Sequence, residues 1–415
     1  MRKRINEIVK HPLFSGSTIM VVGSNSVSAI NYLYHLAMGR MLGPAGYGEL
    51  ASLISLIGLL GIIPASVSLM IVKHVASAKN KHEINSLVGW FKAKIFRASL
   101  LFFIAVLIVS PFIASFLNLS GVSYLILIAI SFLFSLQAGL NRSILQGLLK
   151  FKEMVVSILV ENSAKLIFSI FLVYLGFQVG GVMMALVIST LLGLYITNLY
   201  LKYDSSGRIN SSPDVKSMLA FTIPVGIQTI AATSLYSSDL ILVKHFFPAH
   251  EAGIYAALST LGKIIFFGTG PIGAVMFPLV SQRNALGKPH KKIFLYSLFA
   301  TFLLSLGVLT IYFWVPGVAI KLLYGSAYLE ASNLLVWFGV FITLFSFSSL
   351  LINYSLSLGK TRVVLLPLIA AFAQIILISF FHQSLFMVIL ASTVVTALLL
   401  AGLLIYSIYG KRPFI

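Results

Sequence analysis

The chain has 415 residues, of which 59% are hydrophobic and 9% charged, and its formal net charge at pH 7 is +19. Soluble domains are about half apolar and a quarter charged, so this composition excludes an ordinary water-soluble protein. The absence of cysteine excludes disulfides, Cys-ligated zinc and a thiol nucleophile.

Hydropathy predicts an all-α membrane protein with twelve transmembrane helices, since each crossing needs about 20 mostly apolar residues. The predicted segments are 14–38, 47–72, 93–117, 121–149, 154–176, 179–201, 217–243, 252–282, 292–315, 331–357, 362–381 and 384–409. A polar stretch rich in serine and glycine at 202–216 falls halfway along the chain and is typical of a linker. We therefore predict a six-helix half at 1–201, a cytoplasmic linker at 202–216 and a second six-helix half at 217–415.

Basic residues are distributed unevenly between the two sides of the membrane. Both termini and the loops on their side hold most of the 29 lysines and arginines, whereas the opposite loops hold Arg40, Lys244 and Lys321. This bias places both termini in the cytoplasm. Topology and attraction to anionic lipid headgroups account for the positive charge, so we predict no nucleic-acid partner.

Two stretches in corresponding places of the two halves are similar. AGYGELASLISLIGLLGIIP at 45–64 aligns without gaps with AGIYAALSTLGKIIFFGTGP at 252–271. Six predicted helices separate the copies, so both halves enter the membrane in the same direction, and transporters of this kind bind substrate between their halves near mid-membrane. The pairs Gly61–Pro64 and Gly268–Pro271 predict interruptions of helices two and eight that permit bends, either static kinks or hinges.

Polar residues follow one face of the first helix of each half. On helix one they are Ser24, Ser28, Asn31 and His35, and the same register on helix seven carries Gln228 and Asp239. Polar groups in membrane helices face protein or water rather than lipid. We predict a gating or coupling role for His35 and Asp239. For the serines and asparagine, helix packing is an open alternative.

Three basic residues, Arg142, Lys165 and Lys263, lie inside predicted membrane helices. A charge at the bilayer centre costs roughly 2.5–3.5 kcal/mol, so these side chains must face water, one another or a bound anion. Glu161 precedes Lys165 by four residues, the favourable order for an ion pair, which leaves the other two bases without a partner in sequence. We predict a cationic central cavity, and its polar lining adds Gln137, Asn141 and Gln228. In the alternative interpretation, Glu161 and Lys165 only neutralise each other.

No catalytic or nucleotide-binding motif is present in the sequence. It contains no phosphate loop of the form G-x-x-x-x-G-K-[ST], and the spacing of His74 and His82 matches no common metal motif. We therefore predict no cofactor, no metal and no enzymatic activity. Coupling stays open between H⁺ or Na⁺ binding at His35, Asp239 or Glu161 and the action of the membrane potential on an anionic substrate.

Three stretches follow a pattern typical of one transporter family. They are GRMLGPAGYGELASL after helix one, LQGLLKFKEM between helices four and five, and SSDLILVKHFFPAHEAGIYAAL across helices seven and eight. They resemble the polysaccharide-transporter (O-antigen flippase) family of the multidrug/oligosaccharidyl-lipid/polysaccharide exporter superfamily. The matching positions are Gly46, Tyr47, Asp239, Gly253 and Tyr255. The chain departs from the pattern in having no glycine between Asp239 and Pro248.

The resemblance implies a V-shaped bundle whose central cavity opens alternately to each side of the cell inner membrane. It also implies that the protein flips undecaprenyl-pyrophosphate-linked oligosaccharide to the outer leaflet for surface polysaccharide biosynthesis. The implied partners are this polyprenyl diphosphate-linked oligosaccharide, membrane lipids, a polysaccharide polymerase and a chain-length regulator. The predicted cations suit an anionic diphosphate, because arginine and lysine bind phosphate oxygens well.

Three other functions stay open at this point. A cation-coupled multidrug antiporter of the same superfamily would share the fold but favours buried acids, whereas here three predicted buried bases outnumber Glu161 and Asp239. A lipid II flippase usually has two further helices. A membrane polysaccharide polymerase or glycosyltransferase usually carries catalytic groups on a sizeable outer loop, and the outer loops predicted here are short.

Overall fold

A computed structural model describes residues 12–78, 81–201 and 215–409, and all regular secondary structure in these ranges is helical. The first seven α-helices are α1 (Pro12–Leu60), α2 (Ile62–Ser77), α3 (Lys81–Phe116), α4 (Ser123–Gly147), α5 (Phe151–Tyr174), α6 (Gln178–Tyr200) and α7 (Val215–Phe246). The others are α8 (Ala249–Ala285), α9 (Lys291–Trp314), α10 (Pro316–Leu323), α11 (Ser332–Ser357), α12 (Leu365–Phe380) and α13 (Leu385–Tyr409), with 3-10 helices at Ser326–Ala331 and Thr361–Val364. Most of the predicted linker lies outside the described residues.

Ten of the described helical stretches are long and apolar enough to cross a membrane. This finding confirms the predicted all-α multi-pass membrane protein. Helix α7 is not among the ten, and its side chains at 215–225 lie outside those described. The total of twelve crossings and the cytoplasmic position of the termini therefore stay predictions.

Helix α1 consists of two helical stretches joined at Gly43. Its φ of 67° and ψ of 178° are not helical, and a residue with a side chain would be strained at this positive φ. Pro44 follows, and proline suits the first position of a new helical stretch because its missing N–H is not needed there. Predicted helices one and two are thus connected by a single glycine turn.

The two predicted glycine–proline breaks have different outcomes. Helix α1 ends at Leu60 and α2 begins at Ile62, so the break at Gly61 is confirmed. Helix α8 instead continues through Gly268 and Pro271, so the helix is not interrupted there, and a bend at this proline stays a prediction. A membrane helix tolerates a proline when neighbouring groups satisfy the freed backbone hydrogen-bonding groups. Buried residues lie on both sides of Pro271 in α8, with Thr269 before it and Gly273 and Met276 after it.

The chain divides into two compact units that differ from the predicted halves. The first contains the described residues within Met1–Leu42 and Gly61–Gly226, and the second contains Gly43–Leu60 and Ile227–Ile415 as far as they are described. The second helical stretch of α1, which we name the Gly43–Leu60 segment, therefore packs with the later helices. The division of the chain into halves at 1–201 and 217–415 stays a prediction.

The first unit is built around α4 and α6. Helix α6 packs along both α4 and α5, and α4 also packs against α2 and α3. Its apolar core includes Met70, Phe91, Ile144 and Met154. Because these helices lie side by side, polar side chains of different helices can meet inside the unit.

The second unit is built around α8 and α11. Helix α11 packs against α8, α9 and α13, and α12 completes this side of the unit by packing on α13. On its outer surface α9 exposes Tyr296, Phe299, Phe313 and Trp314. Such large exposed apolar side chains are typical of a surface that faces lipid rather than water.

Candidate functional site

A salt bridge joins Arg142 on α4 to Glu161 on α5 in the first unit. The Arg142 Nε also donates a hydrogen bond of 3.0 Å to Ser157 Oγ, one helical turn before Glu161. Each side chain of the ion pair is 18% exposed. A buried pair of opposite charges is far less costly than either charge alone, so each residue makes the other tolerable in a membrane helix.

Helix α6 approaches this ion pair at Gly193. A Cβ atom built on this glycine would collide with the Glu161 carboxylate and would lie 2.9 Å from a guanidinium nitrogen of Arg142. The absence of a side chain at Gly193 therefore provides the space that the salt bridge occupies, and three helices meet around it.

Lys165 is held in a different way, although it lies one turn beyond Glu161 on α5. Its Nζ donates a hydrogen bond of 2.8 Å to the Asn31 Oδ1 on α1. The same Nζ lies 4.7 Å from the centroid of the Tyr34 ring, a cation–π contact. Within the described part of the chain no carboxylate forms a salt bridge with Lys165, although Glu161 interacts with it electrostatically.

The Glu161–Lys165 pair considered from sequence is not a salt bridge among the described residues, because Arg142 binds the Glu161 carboxylate, although Glu161 still interacts electrostatically with Lys165. Arg142, which has no partner nearby in sequence, gains one in the structure. The i,i+4 spacing permits the first pair, but α4 brings the Arg142 guanidinium directly to the Glu161 carboxylate. A guanidinium offers several N–H groups in a fixed plane, so it can serve the carboxylate and Ser157 together. The direct contacts of the Lys165 ammonium are therefore the Asn31 side-chain amide and the Tyr34 ring.

Gln137 and Asn141, predicted to line the cavity, hydrogen bond to other helices of the first unit. Gln137 donates to Ser99 on α3 at 3.3 Å. Asn141 is buried and donates to Thr197 at 3.1 Å and to Asn198 at 2.8 Å, both on α6. These contacts stabilise helix packing, and a role of either residue in binding substrate stays a prediction.

The later residues of the polar face of α1, from Asn31 to His35, lie near Lys165. Asn31 and Tyr34 contact the lysine, and His35 is half-buried with its ring packed edge-on against Tyr34 at 5.4 Å. Ser24 and Ser28 are exposed. The gating role of His35 stays a prediction. Gln228 belongs to α7, but its side chain lies outside those described.

Asp239 is completely buried in the second unit. It accepts a hydrogen bond of 2.8 Å from the Tyr255 hydroxyl, and it interacts electrostatically with Lys263 on α8. The Lys263 Nζ also lies 5.5 Å from the centroid of the Tyr236 ring. Lys263, which has no partner nearby in sequence, thus has an acid on α7 near it, although no salt bridge joins the two among the described residues. Whether Asp239 also gates or couples transport stays a prediction.

Sequence reasoning missed a second pair of charged residues in this unit. Lys244 and Glu49 are 3% and 6% exposed, and they interact electrostatically. The charge distribution along the sequence predicts Lys244 in an outer loop, but it belongs to the last turn of α7. No local pattern reveals this pair, because its members are almost 200 residues apart in the chain.

The four buried bases of the described membrane helices differ in how their nearest acid is engaged. Arg142 forms a salt bridge with Glu161, while Lys244 and Lys263 interact electrostatically with Glu49 and Asp239. Lys165 also interacts electrostatically with an acid, but that acid is Glu161, which Arg142 already binds. Lys165 has the neutral Asn31 and the Tyr34 ring as its direct contacts. An ammonium group carries three N–H donors, so Lys165 can bind an anionic oxygen without first losing a salt bridge.

The amino-acid sequence is similar to those of known membrane transport proteins. A family profile described as "Polysaccharide biosynthesis protein" matches residues 14–284. The chain is 26% identical over 346 residues to a provisionally named O-antigen transporter of Shigella flexneri, with 79% of this chain and 81% of the relative covered. Both findings concern the sequence and confirm the resemblance described above.

Solved structures show the same fold. An inward-facing multidrug resistance MATE family transporter of the MOP superfamily has a TM-score of 0.75 at 14% identity, with 91% of this chain and 96% of that chain covered. The lipid II flippase MurJ in an inward closed conformation has a TM-score of 0.72 at 15% identity, with 93% and 87% covered. Since the family profile spans more than half of the chain, this protein is a multi-pass membrane transporter that belongs to the polysaccharide biosynthesis protein family.

Proposed function

We propose that the protein is a flippase for undecaprenyl-pyrophosphate-linked oligosaccharide repeat units, which it moves across the inner membrane for surface polysaccharide biosynthesis. Membership of the polysaccharide biosynthesis family supports a substrate of this class. The names of two similar proteins, an O-antigen transporter and a lipid II flippase, point in the same direction. Transport would proceed by alternating access, since a ligand that binds two conformations differently shifts the balance between them.

The observation that carries the proposal is the environment of Lys165. This lysine lies about 14 residues, or roughly 21 Å of helical rise, from the N-terminal end of α5. Keeping an ammonium group at such a depth without a salt bridge is costly. The cost is offset if the group meets an anion during function, and a diphosphate supplies anionic oxygens that bind ammonium strongly.

In the proposed mechanism Lys165 binds a diphosphate oxygen of the headgroup while the polyprenyl tail stays in lipid. Asn31 holds the ammonium in place before the substrate arrives, and the Tyr34 ring continues to stabilise its charge. Arg142 and Glu161 then act as a neutral polar pair that fixes α4 against α5. The sugars of the headgroup need polar surroundings, for which Gln137 and Asn141 offer amide groups.

The test uses cells that assemble the lipid-linked repeat unit but lack this protein. Mass spectrometry of extracted lipids identifies the unit, and digestion by an impermeant glycosidase from each side reports its leaflet. We expect the complete unit to accumulate in the cytoplasmic leaflet and to reach the outer leaflet when the wild-type protein is restored. The variant Lys165→Met, which keeps the length of the side chain and removes its charge, should not restore transfer.

Lys94→Met is the matched control for this variant. Lys94 also lies over an aromatic ring, with its Nζ 5.8 Å from the Trp90 centroid, but it is exposed on α3. We expect Lys94→Met to transport normally at the same protein level.

Other outcomes in the cells that lack this protein would contradict the proposal. Repeat units that reach the outer leaflet normally but stay unpolymerised would indicate a polymerase. Unchanged lipid-linked sugars with altered drug resistance would indicate a multidrug antiporter.

A further inference from the structure

Helices α8, α9 and α11 pack against one another in the second unit, and a polar cavity of about 250 Å³ lies among them. Its lining includes Thr269 of α8, Thr301 of α9, and Ser346 and Asn353 of α11. Thr301 lies about 10 residues, or roughly 15 Å of helical rise, from the N-terminal end of α9. Three helices thus bring hydrogen-bonding groups together at a depth where lipid offers them no partner.

The Thr301 hydroxyl is the strongest indication that this cavity has a ligand. The residue is 1% exposed, and within the described part of the chain its Oγ1 has no hydrogen-bond partner. A buried hydroxyl without a partner lowers the stability of the fold, because it has lost its hydrogen bonds with water. A valine would have a similar shape without this cost, so a polar molecule bound in the cavity is the simplest partner for this hydroxyl.

The other polar groups of the cavity can both donate and accept hydrogen bonds. Thr269 and Ser346 donate their hydroxyl hydrogens at 2.9 Å to backbone carbonyl groups one turn earlier in their own helices. Their oxygen lone pairs remain available as acceptors, and the amide of Asn353 offers both kinds of group. Among the described residues that line the cavity none is charged. This combination suits a neutral molecule with several hydroxyl groups better than it suits an ion.

Glycines of α8 provide the space for such a ligand. A Cβ atom on Gly273 would lie 3.3 Å from the Asn353 Nδ2, and a Cβ on Gly270 would meet no atom within 4 Å. Phe266 and Leu350 add apolar walls, and apolar walls with a few convergent polar groups are typical of ligand sites. The volume is below the roughly 300–1,000 Å³ of pockets for drug-sized ligands, so the cavity fits a single ring rather than a whole oligosaccharide.

We propose that this cavity binds one sugar ring of the lipid-linked repeat unit. Some hydroxyl groups of the sugar donate to Thr269 and Ser346, and others accept from Thr301 and from the Asn353 amide. The choice of a sugar rests on the proposed flippase function, whose substrate carries sugars. The alternative is that the cavity holds only water, which would also satisfy the Thr301 hydroxyl.

Saturation-transfer NMR of the purified protein in lipid nanodiscs tests the cavity without any transport. The probes are free glucose, galactose and N-acetylglucosamine, and empty nanodiscs give the background. We expect transfer to at least one sugar, and a several-fold loss of that signal in Thr301→Val, whose unfolding midpoint should be unchanged or higher. Ser305→Ala is the control, because it removes an equally buried and unpartnered hydroxyl of α9 that is not part of the cavity lining. Its signal should equal that of the wild type.

A second pair of variants fills the cavity instead of removing a hydroxyl. Gly270→Leu should abolish the sugar signal, whereas Gly307→Leu should leave it unchanged, because Gly307 is exposed on α9 and a Cβ there also meets no atom within 4 Å. No transfer to any of the three sugars above the background, or equal transfer in the wild type and all four variants, would overturn the sugar site.

The same measurements separate this proposal from the proposed function. Sugar binding by a wild-type protein that does not flip lipid-linked sugar would overturn only the flippase function. Normal flipping by a protein that shows no transfer to the free sugars would overturn only the sugar site.

Discussion

Lys165 in the first unit and Lys263 in the second occupy similar settings in the sequence, since each lies deep inside an apolar helix. In the structure each lies over a tyrosine ring and interacts electrostatically with an acid. The acids differ, because Glu161 near Lys165 is already bound by Arg142, whereas Asp239 near Lys263 accepts its hydrogen bond from the neutral Tyr255 hydroxyl. Depth in the membrane therefore does not by itself identify a binding group. Under our proposal, a base is available to an anion when the acid near it is already bound to another base.

The largest effect on stability is expected from Lys263→Met. This change leaves Asp239 buried without its base, and breaking a buried charge pair in this way costs roughly 3–5 kcal/mol. Thermal unfolding of the purified protein should show a strongly lowered midpoint. The double variant Asp239→Asn/Lys263→Met should recover most of the loss, because it removes both charges.

Lys165→Met should behave differently in the same unfolding measurement, with a change in unfolding free energy of about 1 kcal/mol or less. It removes no partner from a buried acid, since Glu161 keeps Arg142. If the two lysine variants were equally destabilised, the distinction between the two kinds of base would be lost.

The next largest effect on stability is expected from a change beside the Arg142–Glu161 salt bridge. Gly193→Ala places a methyl group against the Glu161 carboxylate, and such overpacking costs roughly 1–3 kcal/mol. Gly139→Ala is the matched control, because a Cβ on this α4 glycine meets no atom within 4 Å. We expect a lowered unfolding midpoint for the first variant and an unchanged or raised midpoint for the second. Equal midpoints would mean that Gly193 is not needed for the salt bridge.

The smallest expected effect is the loss of transport in Asn31→Asp, and this variant tests the difference between Lys165 and Lys263 most directly. Asn31→Asp places a second carboxylate at the Lys165 ammonium, one that no other base occupies, in place of the amide oxygen that it contacts now. The fold should remain stable, and transport should fall several-fold because the substrate must now displace a salt bridge. Asn31→Ser, which keeps a neutral oxygen at this position, is the control and should lower transport less. Faster transport by Asn31→Asp would contradict the role assigned to Lys165.

The helices were predictable from sequence because the length of an apolar run is a local property. Segment 154–176 corresponds to α5 at Phe151–Tyr174, for example, and the single-glycine turn at Gly43 falls between predicted helices one and two. The continuation of α8 through Pro271 was not predictable. A proline removes one backbone hydrogen bond, and whether the helix ends there depends on packing that the local sequence does not contain.

The candidate site was predicted only in part. The deep position of Lys165 and the polar character of Asn31 are visible in sequence, because burial of polar groups in an apolar helix is a local signal. The pairing of Arg142 with Glu161 depends on the rotation of α4 against α5, so the i,i+4 spacing favoured the wrong partner. The need for a glycine at position 193 likewise becomes visible only when helices distant in sequence come together. The same holds for the burial of Glu49 with Lys244.

The most direct test of the central claim is the binding of undecaprenyl diphosphate to the purified protein in lipid nanodiscs. The dissociation constants of the wild type, Lys165→Met and Lys94→Met would be measured under identical salt conditions. Because a hydrogen bond to a charged group contributes about 1.5–3 kcal/mol, we predict binding about tenfold to hundredfold weaker for Lys165→Met and unchanged for Lys94→Met. Equal affinities for all three proteins would contradict the assignment of Lys165 as the group that binds the diphosphate.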